Sequence, residues 1–359
     1  MMFVANVNGQ RLCTLDYTKD ALRTLRQKET FTCPCCNEPV ILKVGQQKLA
    51  HFAHRQASCE AGFSERESAQ HLQGKAQLYV FFQRFMQDVE LEPYVRILQQ
   101  RPDVRAAQYA IEFQCSAISY ERLVERTDGY MRQGYVPIWI PVARHKKLGW
   151  QIISLSQLEK ACLQMKDGLA YCITLSPKEE AFIYYSYAMQ LSATKFYAYV
   201  MRVPIHEQQF PFYVPTPIAN DVFLKLCDKQ QSMRERMLLQ RLRFSKEGVQ
   251  DNVLQLAYTH YGGIMRIPFY VGIYVPYAHA LPIPPIDWQL YYVVWRAHYN
   301  KTIRQDEAHF CAFSGIEQLC ARSRQALYAY EDVVMTTPAS EAALFQVMYD
   351  KIVAPQRNN

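Results

Sequence analysis

The stretch QRPDVRAAQYAIEFQCS, residues 100–116, decides the fold of the central part of this chain of 359 residues. A turn at the proline precedes one short strand, and a second strand follows with alternating side chains. Because successive side chains of a strand point to opposite faces, Ile111 and Phe113 face a core, whereas Glu112 and Gln114 lie on the other face. Asp103, which opens the preceding strand, can then lie across from Glu112.

Two carboxylates on one face are costly unless a cation lies between them. Hard divalent ions prefer oxygen ligands, so the sequence predicts a Mg²⁺ or Mn²⁺ site at Asp103 and Glu112. The helix before these strands adds polar residues four apart, and so on one face; they are Glu67, His71 and Lys75. The alternative is that Glu112 is an edge residue or an ion-pair partner.

The flanking sequence extends the pattern to α-β-β-β-α-β between residues 64 and 142. A helix over residues 64–88 has an aromatic stripe and a polar face. Three strands follow, and Ser119 then caps a second helix that ends at Gly134. The buried strand YVPIWIPV closes the order.

The first 60 residues contain a C-x-x-C pair and an H-x-x-H pair, which are Cys33, Cys36, His51 and His54. A C-x-x-C turn with a second ligand pair is a common way to hold tetrahedral zinc, and one ion can replace a core that a small module lacks. The sequence therefore predicts a zinc-ribbon-like module with structural Zn²⁺, in which Cys59 could replace one histidine. A metal-free hairpin and a redox role remain alternatives.

Several of these segments resemble the competence protein CoiA family; they are SERESAQHLQGKAQLY, QRPDV, AIEFQCS, RTDGY and PIWI. The resemblance runs from residue 1 to about residue 142. The element order resembles the PD-(D/E)XK nuclease core, also known as the restriction-endonuclease-like core. Asp103 matches the first acid of that pattern and Glu112 the second, but Gln114 stands where a lysine is expected. Lys75 could supply the missing positive charge.

The resemblance implies metal-assisted phosphodiester hydrolysis. Asp103, Glu112 and the Phe113 carbonyl would hold the ion, with Glu67 as a further acid, and Lys75 and Gln114 would position water or phosphate. The residues that would contact backbone phosphates are His71, Arg126 and Tyr130. A neutral amide orients the attacking water and stabilises the charge of the phosphate less well than a lysine does. The alternative is therefore a binding platform that promotes strand pairing without cutting.

The family resemblance also implies a role in natural transformation. Incoming DNA, in single-stranded form, would be the substrate, and a RecA-type recombinase with its loading factors would be the partners. A third hypothesis is a zinc-bearing interaction protein without a DNA role.

We expect an α+β protein with three parts: the zinc module in residues 1–60, the nuclease-like core in residues 61–143 and a mostly helical domain in residues 150–359. Within the last part, residues 154–168, 176–194 and 221–248 are predicted as helices. Arg241 and Arg243 could follow a phosphate backbone or belong to a solvated helix face. Tyrosine-rich runs, FIYYSYAM and KFYAYVM, could stack on unpaired bases or form core.

Composition narrows the class of protein. Half of the residues are hydrophobic and a fifth are charged, which is typical of a globular protein. The net charge of +7 permits nucleic-acid binding. No apolar run approaches the roughly 18 residues of a membrane helix, and no Walker motif for ATP is present. We therefore expect a cytoplasmic protein that uses no ATP itself.

Overall fold

The computed structural model describes residues 1–46, 48–55, 68–95, 97, 100–145 and 147–354. These residues form three β-sheets and a set of helices. The predicted α+β class is thereby confirmed, whereas the three predicted domain boundaries stay predictions.

The N-terminal sheet has the strand order β2-β1-β3-β4-β5. Its strands are β1 (Val4–Val7), β2 (Gln10–Cys13), β3 (Phe31–Thr32), β4 (Pro39–Lys43) and β5 (His51–His54). Asn8 and Gly9 turn the first hairpin with φ angles of 50° and 79°, a conformation that favours these residue types. Helix α1 (Lys19–Lys28) begins where the Thr18 hydroxyl accepts a hydrogen bond from the Ala21 N–H.

The central part has the predicted order of elements. They are α2 (Ala69–Gln83), β6 (Val89–Leu91), β7 (Val104–Ala106), β8 (Tyr109–Gln114), α3 (Tyr120–Arg132) and β9 (Val136–Pro141). The sheet order is β6-β7-β8-β9, with β8 parallel to β9. Ser68 and Ser119 cap the two helices.

A third sheet, antiparallel, contradicts the prediction of helices after residue 150. Its order is β10-β14-β13-β12-β11, formed by β10 (Gly149–Ser154), β11 (Gln164–Lys166), β12 (Leu169–Ser176), β13 (Ala181–Gln190) and β14 (Lys195–Pro204). Only α4 (Gln157–Ala161) remains of the helix predicted over 154–168, and the helix predicted over 176–194 is wrong.

The error has a physical cause in β13. Phe182 and Tyr184 pack into the core beneath α2, whereas Ile183 and Tyr185 pack into a second core on the other face of the sheet. A strand buried on both faces shows an unbroken apolar run, which periodicity cannot distinguish from a buried helix. The same packing makes the hydrophobic core of the central part continue into the third sheet.

The helical prediction holds from residue 220 onward. The helices are α5 (Asn220–Phe244), α6 (Asn252–Tyr261), α7 (Pro285–Tyr299), α8 (Glu307–Ser314), α9 (Ala321–Val334) and α10 (Glu341–Met348), and a π-helical turn follows at Tyr349–Val353. Trp288, Tyr292 and Trp295 of α7 are fully buried in its core. Among the described residues, no helix combines the length and the apolar character needed to cross a membrane.

Gly74 sets the distance between α2 and β8. A Cβ at this position would lie 2.1 Å from the Phe113 ring, and Phe113 is fully buried. We expect Gly74→Ala to lower the free energy of unfolding by about 1–3 kcal/mol, because the ring has to shift within a packed core. Thermal and urea unfolding measure this change. Gly45→Ala is the control, since its Cβ meets nothing within 4 Å; equal stability of both variants would contradict the close contact.

Candidate functional site: an acid cluster and a metal-ligand cluster

The two predicted acids lie across from each other on neighbouring strands. Val104 of β7 pairs with Ile111 of β8, so the next pair along the antiparallel ladder is Asp103 and Glu112. Both side chains are buried, with exposures of 8% and 2%. The sheet therefore places the two acids at neighbouring positions, and each carboxyl group needs local compensation for its lost hydration.

Asp103 is compensated mainly from α2. His71 Nε2 lies 3.1 Å from Asp103 Oδ2, and Lys75 Nζ lies 3.7 Å from Oδ1. The Phe113 N–H donates to Oδ2 at 2.8 Å. Burial by itself raises the pKa of Asp103, but the charges of His71 and Lys75 and these hydrogen bonds outweigh it and hold the pKa below its usual range.

Lys75 has a second partner that the sequence did not suggest. Its side chain is fully buried, and Nζ donates to Glu92 Oε1. The other oxygen of Glu92 accepts the Phe3 N–H at 2.9 Å, which ties the N-terminal sheet to the central part. The pKa of Glu92 is lowered, because Lys75, Arg101 and these hydrogen bonds outweigh its burial. The sequence carries no signal for Glu92, because Lys75 needs a carboxylate partner only when it is buried, and its burial is seen only in the folded chain.

Glu112 is compensated from α3 instead. Arg126 Nη2 and Tyr130 Oη both donate to Glu112 Oε1. Burial raises the pKa of Glu112 to about 7, because desolvation and the nearby charge of Asp103 outweigh the attraction of Arg126. Arg126 also lies over the Trp139 ring, 5.6 Å from its centroid. The carboxyl group therefore takes up a proton more readily than an ordinary glutamate.

The structure brings most predicted catalytic residues into one cluster but gives several of them other contacts. Gln114 donates from Nε2 to the Ser116 carbonyl at 3.2 Å and to the Ser116 hydroxyl at 2.9 Å. The predicted phosphate contacts His71, Arg126 and Tyr130 lie against the two acids, so their contact with DNA stays a prediction. Glu67 lies outside the described residues.

The two arginines predicted on the long helix lie apart from this cluster. The Arg241 guanidinium is held by Asp251 at 2.8 Å and by Asp287 at 2.6 Å. A guanidinium bound to two carboxylates offers less charge to a phosphate, and the role of Arg241 in DNA binding stays a prediction. Arg243 is exposed two residues further on, and its role in DNA binding stays a prediction.

A second cluster lies in the N-terminal sheet. The ligand atoms of Cys33, Cys36 and His54 lie within 4.8 Å of one another, and Cys36 Sγ is 3.3 Å from His54 Nε2. Hydrogen bonds from Cys35 outweigh burial and, with those from Cys36, lower the pKa of Cys33 to about 4. Two thiols and an imidazole at this spacing are a donor set that suits Zn²⁺.

His51 does not join this cluster, which corrects the predicted set of ligands. Its Nδ1 lies 2.9 Å from the Leu49 carbonyl, and its side chain is buried. Because His51 and His54 are three residues apart in one strand, they point to opposite faces of β5. Cys59, the predicted replacement for one histidine, lies outside the described residues.

A basic cleft lies between α2, the start of α1 and residues that follow β4. It has a volume of about 640 Å³ and is lined by three lysines, which are Lys19, Lys48 and Lys178. The first turn of α2 forms one wall through Ala69 and Gln70. No carboxylate belongs to the described residues that line this lysine cleft. It therefore has the charge that attracts phosphate groups.

Comparison with known proteins defines the class of the central part. Residues 67–215 match the family model "Competence protein CoiA, nuclease-like domain", so the acid cluster lies in a nuclease-like domain. Residues 14–62 match the family model of the N-terminal domain of the same proteins. The two matches together span more than half of the chain, which belongs to the competence protein CoiA family.

A curated relative agrees with this assignment. The chain is 34% identical over 188 residues to the competence protein CoiA of Bacillus subtilis. The aligned region is 50% of this chain and 49% of the relative, so the chain matches about half of the relative's length. No solved structure matches the chain at comparable significance.

The metal-ligand cluster predicts which substitutions release zinc. We expect Cys36→Ala or His54→Ala to reduce bound zinc well below one ion per chain and to lower the midpoint of thermal unfolding. His51→Ala should keep its zinc, because the His51 ring points away from the cluster. Elemental analysis of the purified variants measures the zinc content. Equal loss from the His51 and His54 variants would contradict the assignment.

The raised pKa of Glu112 predicts how stability depends on pH. Its pKa in the folded chain, about 7, lies above the usual 4.5, so the folded protein binds more protons between these values. The contribution of Glu112 to stability is therefore full below about pH 4.5 and is lost as pH rises to about 7. Relative to Glu112→Gln, the unmodified protein should lose roughly 3 kcal/mol over this window.

Urea unfolding at several pH values measures this difference, with Glu90→Gln on β6, two strands away from β8, as a control. A constant difference between the unmodified protein and Glu112→Gln across pH 4.5–8 would show that Glu112 stays ionised beside Arg126.

Proposed function

We propose that the protein processes incoming single-stranded DNA during natural competence, by metal-assisted phosphodiester hydrolysis at Asp103 and Glu112. The observation that supports this most is the buried pair of carboxyl groups on neighbouring strands of a nuclease-like domain. Burying two acids side by side is costly, and such an arrangement is typical of a site that uses their oxygens.

The residues present fit a divalent ion in their chemistry. Asp103, Glu112 and the Phe113 carbonyl would supply the hard oxygen ligands that Mg²⁺ and Mn²⁺ prefer. When bound, such an ion would polarise a phosphate and lower the pKa of a water molecule toward 7.

The protein's own side chains would have three tasks. Arg126 and Tyr130 would leave Glu112 Oε1, and the released guanidinium would lie beside the phosphate as a charge partner. Gln114 would orient a water molecule through its amide. Lys75, fully buried between Glu92 and Asp103, would set the charge of Asp103 rather than contact the substrate.

The lysine cleft supports DNA as the substrate. Its wall includes the first turn of α2, the same turn that carries His71 to Asp103. A phosphate backbone that followed the cleft would therefore be led towards the acid cluster. Structural zinc at Cys33, Cys36 and His54 would keep the N-terminal wall of the cleft folded. A RecA-type recombinase and its loading factors are proposed as partners on the family resemblance alone.

A second candidate function is a DNA-binding platform that promotes strand pairing without cutting. The contacts of Arg126 and Tyr130 with Glu112 favour it, because they occupy an oxygen that an ion would need. Gln114 at the expected lysine position favours it as well.

Cleavage assays with Asp103→Asn and Glu112→Gln separate the two functions. If the protein hydrolyses DNA, each variant should cut labelled single-stranded DNA at least a hundredfold more slowly in Mg²⁺ or Mn²⁺. The reason is that each substitution replaces a charged carboxylate ligand of the ion by a neutral amide. Asp128→Asn, an exposed acid on α3, is the matched control and should cut normally.

If the unmodified protein cuts no DNA but retains it in a salt-dependent way, hydrolysis is excluded and the second candidate function, the DNA-binding platform, remains. If it neither cuts nor retains DNA, both candidate functions fail.

A further inference from the structure

The third sheet exposes a group of aromatic rings that the acid cluster does not use. We define this aromatic platform as Trp150, Tyr187, Tyr197 and Tyr199. Trp150 and Tyr199 are each 37% exposed, and Tyr187 and Tyr197 are half-buried. We propose that the aromatic platform binds single-stranded DNA by stacking on unpaired bases, at a site separate from Asp103 and Glu112. This deepens the proposed function and rests on its choice of DNA as the substrate.

The rings are mutually aligned. The centroid of Trp150 lies 5.4 Å from that of Tyr197 with an interplanar angle of 25°, and 5.9 Å from that of Tyr187 at 30°. Tyr199 pairs with Trp150 across β10 and β14 and meets it edge-on at 5.3 Å. The stacked rings support one another, and the exposed parts of Trp150 and Tyr199 are the surfaces on which a base can stack, since stacking needs a ring face rather than a specific hydrogen bond.

The backbone is distorted where it supports Tyr187. The register between β13 and β14 shifts between Ser186 and Met189, and Tyr187 has a φ angle of 53°. A bulky side chain rarely adopts that conformation, and β-bulges commonly redirect a side chain near functional sites. The Tyr187 hydroxyl donates to the Thr216 carbonyl at 2.9 Å, which fixes the ring beneath Trp150.

The platform lies at the exposed end of a face that is otherwise covered. Met201 and Val203, on the same face of β14, pack against the core of the central part. Tyr187 and Tyr197 rest on the helical core, so the rings are held rigidly from below. Rigid rings lose little conformational freedom when a base stacks on them.

Charge favours nucleic acid over a protein partner. The five strands of the third sheet contain no Asp or Glu, whereas Lys166, Lys195 and Arg202 lie in them. Lys195 is exposed and stands on the same face of β14 as Tyr197, and exposed Lys147 precedes Trp150 by three residues. Cations beside stacked aromatic rings are the combination that binds single strands.

Binding of a labelled oligothymidylate, measured by fluorescence anisotropy, tests the proposal. We expect Trp150→Leu to weaken binding roughly tenfold, because leucine keeps an apolar side chain but removes the ring face. Tyr199→Leu should also weaken binding, and it provides the test if Trp150→Leu folds poorly. Tyr258→Leu removes a 74%-exposed ring on α6 and should bind normally. Duplex affinity should not change in any of these variants, because paired bases are not available for stacking.

Tryptophan fluorescence provides a second readout at the site itself. Trp288 and Trp295 are fully buried, so quenching by oligothymidylate should come from Trp150 and be lost in Trp150→Phe. Trp139 donates to Thr127 on α3 and lies under Arg126, so quenching that survives in Trp150→Phe but disappears in Trp139→Phe would place the DNA at the acid cluster instead.

The outcomes distinguish this proposal from the hydrolytic one. If Trp150→Leu binds single strands as tightly as the unmodified protein, the aromatic platform is overturned, even if the protein cuts DNA. So does an equal loss for single strands and duplexes, or a change of oligomeric state without a loss of DNA affinity. A selective loss for single strands supports the platform even if the unmodified protein cuts nothing.

Discussion

The buried ammonium group of Lys75 is the interaction on which the central part of the molecule depends. It lies between Glu92 and Asp103, with no exposure to solvent. Glu92 in turn binds the Phe3 N–H, so one cation connects the first strand of the chain, α2 and the sheet of the central part. A buried ion pair adds little net stability over an apolar replacement, but removing one partner strands the other charge. Lys75 thus fixes how these three elements meet, and with them the position of Asp103.

Local rules predicted the elements that carry the acids. Alternation along β8 placed Ile111 and Phe113 in the core, and the Ser119 cap gave the start of α3. The same alternation, applied to H-x-x-H in a strand, would have separated His51 from His54. What alternation cannot supply is the pairing of side chains between distant elements. Glu112 and Arg126 are both ordinary surface residues until β8 and α3 bury them together, and only the folded chain shows that they meet.

The third sheet shows a different limit of sequence reasoning. The sequence predicts a helix over residues 176–194, but burial on both faces of β13 produces an apolar run of the same kind in a strand. On β14, however, Tyr197 and Tyr199 alternate with the buried Phe196, Ala198 and Val200. One tyrosine-rich run is therefore mostly core, with Tyr187 alone among its tyrosines half-buried, while the other leaves Tyr199 exposed. The difference comes from position in the sheet: β13 is the central strand, whereas β14 beside it is buried on one face and partly exposed on the other.

The chemistry of the acid cluster turns on competition for one oxygen of Glu112. Arg126 and Tyr130 hold it with a single positive charge and a hydroxyl group, in a site where the acids Glu92, Asp103 and Glu112 face the cations Lys75 and Arg126. Beside Arg126 alone the ionised form of Glu112 is disfavoured, because burial and the nearby charge of Asp103 outweigh the attraction of Arg126 and raise the pKa to about 7. A divalent ion brings twice the charge and would favour the ionised carboxylate more strongly. A DNA phosphate would meanwhile offer Arg126 another anion. The ion would compete for Glu112 and the phosphate for Arg126, so both would weaken the contact between these two side chains. Hydrolysis would therefore require ion and substrate together, whereas either one alone would leave the cluster as a binding surface.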